Sequence, residues 1–215
     1  MLSIRSGLSV IAAWGLVLAG GAKADLIPVV NAGFEATPLA DGAFTRVAPP
    51  GWTLVGTGGT FHPSVRDFPG GAPEGQNTGY SSGGSLSQTL VSPLQAGVYT
   101  LRVEVGDSFF TPFPGYKIEL LAGSFLLAQD NNSLAPANGT FLTSTVMFAA
   151  TAGDARLGQP LSIRLTSSGS ETNFDNIRLD FAPSAVPEPA SVMMLGIGAL
   201  GLLGYDLRRR LKGRA

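Results

Sequence analysis

The 215-residue chain has a formal charge of −1, no cysteine, 29 glycines and 15 prolines. Between Asp25 and Val186 the balance is 7 Lys/Arg against 13 Asp/Glu, or −6, because the other basic residues cluster at the two ends. An acidic central region without a basic patch argues against nucleic-acid binding, and the lack of cysteine excludes a disulfide framework, a thiol nucleophile and a cysteine-ligated zinc.

The N-terminus places Arg5 before an apolar stretch from Leu8 to Ala19 and ends in small residues at Ala22 and Ala24. That order is a signal peptide over 1–24, cleaved by signal peptidase before Asp25. The following segments alternate with period two between Gly, Pro and Asn breakers. Strands are predicted at Leu26–Val30, Trp52–Val55, Ser85–Leu90, Tyr99–Val105, Tyr116–Leu121, Phe125–Gln129 and Phe141–Phe148, then around Ile163 and Leu165, then over Ile177–Phe181. In the clearest, Tyr99, Leu101, Val103 and Val105 share one face while Thr100, Arg102 and Glu104 take the other. Short alternating strands without an amphipathic helix predict one all-β domain over 25–183, a single antiparallel β-sandwich. Gly56–Gly59 and Ser81–Gly84 read as flexible turns, and Trp52 as core.

The tail, 184–215, runs Val186-Pro187-Glu188-Pro189, an apolar segment from Val192 to Tyr205 interrupted by glycines, and a basic end with Arg208, Arg209 and Arg210. A helix is expected over 190–205, shorter than the roughly 20 residues a stable span usually needs. Its basic end is expected to stay on the cytoplasmic side. This order resembles the PEP-CTERM sorting signal of exopolysaccharide-producing Gram-negative bacteria. The resemblance implies that an exosortase recognises Pro187, Glu188 and Pro189 and removes the helix after a transient stay in the inner membrane. The product would reside at the cell surface or in the extracellular matrix.

Three further patterns are Asn31-Ala-Gly-Phe-Glu35 with Pro49-Pro-Gly-Trp52, Leu94-Gln-Ala-Gly-Val-Tyr-Thr-Leu101, and Asn173-Phe-Asp-Asn-Ile-Arg-Leu-Asp180. In this order they resemble galactose-binding-like jelly rolls, a class that includes many carbohydrate-binding modules. The resemblance implies a structural calcium joining the opening and closing motifs through Glu35 and Asp175. A hard cation with several oxygen ligands suits that pair together with backbone carbonyls.

His62 is the only histidine and has no adjacent nucleophile in sequence, and no Gly-x-Ser-x-Gly, His-Glu-x-x-His or phosphate-loop motif occurs. Glu104 and Asp107 stand at a strand end where carboxylates are common. The domain is therefore expected to be non-catalytic. Loop aromatics are Phe61, Tyr80, Phe109, Phe110, Phe113 and Tyr116, and the Phe109–Tyr116 set is expected to stack on sugar rings of an exopolysaccharide. The alternative is a structural surface or matrix protein acting through protein contacts, with no glycan ligand.

Overall fold

In a computed structural model of the protein, the alternating segments form nine strands: β1 (Asp25–Ile27), β2 (Thr53–Phe61), β3 (Thr78–Pro93), β4 (Gly97–Asp107), β5 (Tyr116–Ala122), β6 (Phe125–Asn131), β7 (Thr140–Ala150), β8 (Pro160–Ser167) and β9 (Thr172–Pro183). The structure describes residues 24–184 and the helical positions Gly196, Leu200, Tyr205 and Arg208. The rest of the expected signal peptide and of the sorting tail, with Pro187, Glu188, Pro189, Arg209 and Arg210, lies outside the described residues. No helix among the described residues is long and apolar enough to cross a membrane.

Every pairing is antiparallel, in the order β6-β5-β8-β3-β9-β4-β7, with β1 added to β9 and β2 to β3. The sandwich turns on β3, which is 16 residues long. Its first part pairs with β9 through Gly79–Ser81, and its second part pairs with β8 from Ser85 onward. One strand thus serves two sheet layers, and the edge strands β6 and β7 approach each other so that the sandwich nearly closes. Tyr99, Leu101, Val103 and Val105 of β4 are fully buried, and they meet Ile118 and Leu120 of β5, Leu161, Ile163 and Leu165 of β8 and Leu179 of β9. Trp52 joins this core.

Two local expectations change. The first strand ends at Ile27 rather than Val30, because Pro28 has no N–H to extend the ladder. Gln88 instead holds Val30 from both sides, its amide bonded to the Val30 N–H and C=O at 2.8 Å each. Gly56–Gly59 and Ser81–Gly84 are not turns: they lie inside β2 and β3, paired across a bulge between Val55 and Thr57. A Cβ on Gly84 would sit 2.2 Å from the Val55 carbonyl oxygen, so the glycine permits close backbone approach.

A second bulge decides what faces the functional region. Arg102 pairs with Arg178, yet Glu104 pairs with Asp175, so β9 carries one extra residue there, and Asn176 takes a φ of 50°. A one-residue insertion inverts the side-chain alternation. C-terminal to the bulge Ile177 and Leu179 point into the core. N-terminal to it Phe174 takes that role, and Glu171, Asn173 and Asp175 turn to the opposite face.

Candidate functional site

That face is walled by alternate residues of two paired strands. Tyr80 of β3 lies opposite Asn173 of β9, so Thr78, Tyr80 and Ser82 stand beside Glu171, Asn173 and Asp175. Residues of β2 and of the loops before β2, between β2 and β3 and after β4 complete a pocket of about 350 Å³ lined by Phe44, Arg46, Thr57, Phe61, Asp67, Tyr80, Ser82, Ser108, Phe110, Thr111 and Glu171, among others. Phe44 meets Tyr80 edge-on at 6.3 Å, and the Arg46 guanidinium rests 5.1 Å above the Phe44 ring. The Tyr80 hydroxyl donates to the Thr45 carbonyl at 2.8 Å, which fixes the ring.

Two carboxyl groups enter this aromatic pocket. Asp67 Oδ2 accepts from the Ser64 amide at 3.0 Å and the Ser64 hydroxyl at 2.7 Å. Glu171 Oε1 accepts from Asn173 Nδ2 at 3.0 Å. Burial raises the Glu171 carboxyl above its ordinary range; the Asn173 bond opposes this and the charge of Asp67 adds to it. Glu171 is therefore biased toward the protonated form, as a candidate acid requires.

The expected sugar-stacking set is split by the fold. Phe109 and Phe110 are 55% and 66% exposed, edge-to-face at 5.8 Å, and Phe110 lines the pocket. Phe113 packs against the core, and Tyr116 is wholly buried with its hydroxyl on Asp130. Tyr116 therefore cannot offer a ring face to a ligand, because it opens β5 with its side chain on the core side. His62 binds the Leu39 carbonyl through Nδ1 at 2.9 Å. Glu104 accepts from Thr143, whereas Asp107 is buried and raised by desolvation, so the two do not form an exposed acid pair.

Glu35 and Asp175 are brought together by long-range folding. Asp175 is fully buried and accepts from the amides of Glu74 at 2.8 Å and Asn176 at 2.7 Å. Glu35 accepts from the amides of Gln76 and Asn77 at 2.8 and 2.7 Å. Burial, opposed by the Glu74 and Asn176 amides and reinforced by the charges of Glu74 and Glu35, pushes Asp175 up to about 8. A Cβ on Gly75 would fall 2.4 Å from the Glu35 carboxyl carbon, so glycine leaves the space that this carboxylate fills. The buried Asp175 carboxyl, held up by desolvation, would regain its charge against a hard cation. Among the described residues no three His, Cys, Asp or Glu side chains converge as a metal cage, so backbone carbonyls would have to complete the shell.

Glu171 was missed by sequence reading because it follows a run of Ser and Gly without a local motif. The usable signal was the spacing of Glu171, Asn173 and Asp175, polar at every second position beside Thr172 and Phe174.

The HpiC1 cyclase family matches residues 25–180, and the PEP-CTERM protein-sorting motif matches residues 185–210. The Stig cyclase Fisc from Fischerella sp. TAU, in complex with (3Z)-3-(1-methyl-2-pyrrolidinylidene)-3H-indole, is 35% identical, with 75% of this chain and 99% of that chain covered and a TM-score of 0.69. A cyclase from Fischerella sp. TAU in complex with 4-(1H-indol-3-yl)butan-2-one gives 35% identity, 75% and 100% coverage and a TM-score of 0.68. The tandem CBM22-1-CBM22-2 domain of Paenibacillus barcinonensis Xyn10C, at 14% identity with 80% of this chain and 50% of that chain covered and a TM-score of 0.50, shares the fold alone. No curated protein matches the chain.

These findings overturn the expectation of a non-catalytic domain. The domain lacks local catalytic motifs, whereas the candidate pocket is assembled from separate strands and loops. The tail is a PEP-CTERM motif, which marks an exported protein sorted to the cell envelope by exosortase-type machinery. With its family match spanning 25–180 and its all-β architecture shared with the Fischerella cyclases, the chain belongs to the HpiC1-like cyclase family.

Proposed function

We propose that the protein is an exported cyclase that folds a planar, indole-bearing substrate into the aromatic pocket and closes a ring by acid catalysis. The carrying observation is Glu171, a half-buried carboxyl beside Asp67 on the wall of a pocket edged by Phe44, Phe61, Tyr80 and Phe110. The indole ligands of the two Fischerella proteins support this substrate class.

In the proposed step, Glu171 gives its proton to a substrate double bond or imine nitrogen. The π electrons of a neighbouring alkene or ring attack the resulting electron-poor carbon and form the new C–C bond. Loss of a proton to the Glu171 carboxylate then restores the acid, so the net reaction is an isomerisation with no change in mass. The aromatic faces and the Asp67 carboxylate would favour the passing positive charge.

The test is turnover by the purified full chain on a panel of alkenyl indoles, read as a product of unchanged mass and altered retention. Glu171→Gln should reduce that product by about 10²–10⁴-fold while 4-(1H-indol-3-yl)butan-2-one still binds. Equal turnover by wild type and variant would sink the assignment.

A second reading follows from the exposure of Phe109 and Phe110: a matrix polysaccharide would stack on this rim outside the pocket. Xylo-oligosaccharide binding lost in Phe109→Ala but retained in Glu171→Gln would support it. We further propose that signal peptidase frees Asp25, that the 190–205 helix anchors the chain transiently in the inner membrane, and that calcium is held through Glu35 and Asp175. The calcium would be structural, tying the loop after β1 to β9.

A further inference from the structure

We infer that Asn173, oriented by Thr78, is the positioning residue for Glu171, a role that rests on the reading of Glu171 as the proton donor. Asn173 and Thr78 are both completely buried, in a sheet where an apolar pair would cost less desolvation. Their bonds form a directed chain. The Thr78 hydroxyl donates to Asn173 Oδ1 at 3.0 Å, and Asn173 Nδ2 donates to Glu171 Oε1 at 3.0 Å.

The direction of that chain matters. A carboxamide can present either its oxygen or its nitrogen to a neighbour. With Oδ1 occupied by the Thr78 proton, the amide presents its N–H to Glu171. The other acceptor within reach of Thr78, the Phe61 carbonyl, is more distant at 3.5 Å. Glu171 Oε1 is thereby engaged as an acceptor, which leaves Oε2 to carry the proton toward the pocket. The register explains the aim: Asn173 sits opposite Tyr80, Thr78 is two residues before Tyr80, and Glu171 is two residues before Asn173, all on the face inverted by the Asn176 bulge.

Thr78→Val keeps the branched shape and removes only the donor. Thr78→Ser keeps the donor and removes a methyl group. Asn173→Leu removes the whole relay, and Thr78→Val guards against its failing to fold. The titration of Glu171 is read in the full chain by carboxyl-carbon NMR, alongside the high-pH limb of turnover.

Loss of the Asn173 hydrogen bond should move the Glu171 midpoint and the turnover limb upward together, by about half a pH unit to one unit. Thr78→Ser should return both to the wild-type position. Lower melting temperatures in Thr78→Val and Asn173→Leu with an unmoved Glu171 midpoint would overturn the inference, because they would reveal packing alone. Full turnover in Glu171→Gln would instead remove the proton-donor reading and the catalytic role of the relay with it. A Glu171 midpoint that still moved in Thr78→Val would tell that failure from the first.

Discussion

The Tyr116 hydroxyl and the Asp130 carboxylate lie 2.5 Å apart inside the sandwich, with Ser144 Oγ equally close to the same carboxylate oxygen. Burial alone would raise Asp130, but the bonds from Ser144, Tyr116 and Ser133 hold it below its usual range. The Tyr116 oxygen also accepts from the Leu134 amide at 3.2 Å, so one phenol joins β5, β6 and the following loop.

Tyr116→Phe should therefore destabilise the domain by about 1–3 kcal/mol, because it removes one donor from a buried carboxylate and leaves a backbone N–H unpaired. Urea unfolding should show the lower midpoint, while binding of the indole ketone stays unchanged. A variant of normal stability that lost ligand binding would contradict the buried placement.

Glu119 and Arg164 make a two-point ion pair across β5 and β8, with Nε to Oε2 at 2.6 Å and Nη2 to Oε1 at 2.8 Å. The Arg164 hydrogen bond, partly opposed by burial, lowers Glu119. A depressed folded value contributes stability above the unfolded value of 4.5, and this is lost as pH falls through the folded value. Melting temperature should drop on acidification through that window, and the drop should be shallower in Glu119→Gln. Arg164 is half solvated, so Arg164→Leu should cost about 1–2 kcal/mol rather than the full value of a buried pair.

Glu171 titrates in the opposite sense. Its raised folded value means its contribution to stability is intact below the unfolded value of 4.5 and is lost as pH rises through the folded value. Cyclisation should follow the same protonated form and fall on that alkaline limb. Glu171→Gln should reduce turnover by about 10²–10⁴-fold, the usual contribution of a positioned acid. A pH-independent residual rate in the variant, measured by product formation, would agree with loss of the donor.

Calcium should raise the melting temperature of the full chain, and a chelator should reverse it. At about 100 times the dissociation constant, mass action gives roughly 2.7 kcal/mol. Asp175→Asn and Glu35→Gln should each suppress the increment, and calorimetry with and without calcium would measure it. Identical melting in both conditions would remove the metal.

Phe110→Ala should weaken binding of the indole ketone by about tenfold, in keeping with an aromatic contact of about 1 kcal/mol or more. Phe109→Ala should have a smaller effect, since Phe109 does not line the pocket. Isothermal titration of both variants gives the comparison.

Alternation located the apolar parts of the strands but not the Gly/Ser stretches of β2 and β3, because a half-buried strand places apolar residues at every second position; Tyr99 to Val105 did so without interruption. The order of motifs likewise revealed the sorting tail, since it is written in contiguous residues. Tyr116 and Phe110 were indistinguishable as loop-edge aromatics. Only packing separated them, sending one to Asp130 and the other to the pocket wall. Glu171 was hidden for a different reason: its meaning depends on Asp67 and Tyr80, which come from distant parts of the chain. The extra residue at Asn176 then decided which face they share, and a change of parity in one strand becomes visible only when its partner strand fixes the register.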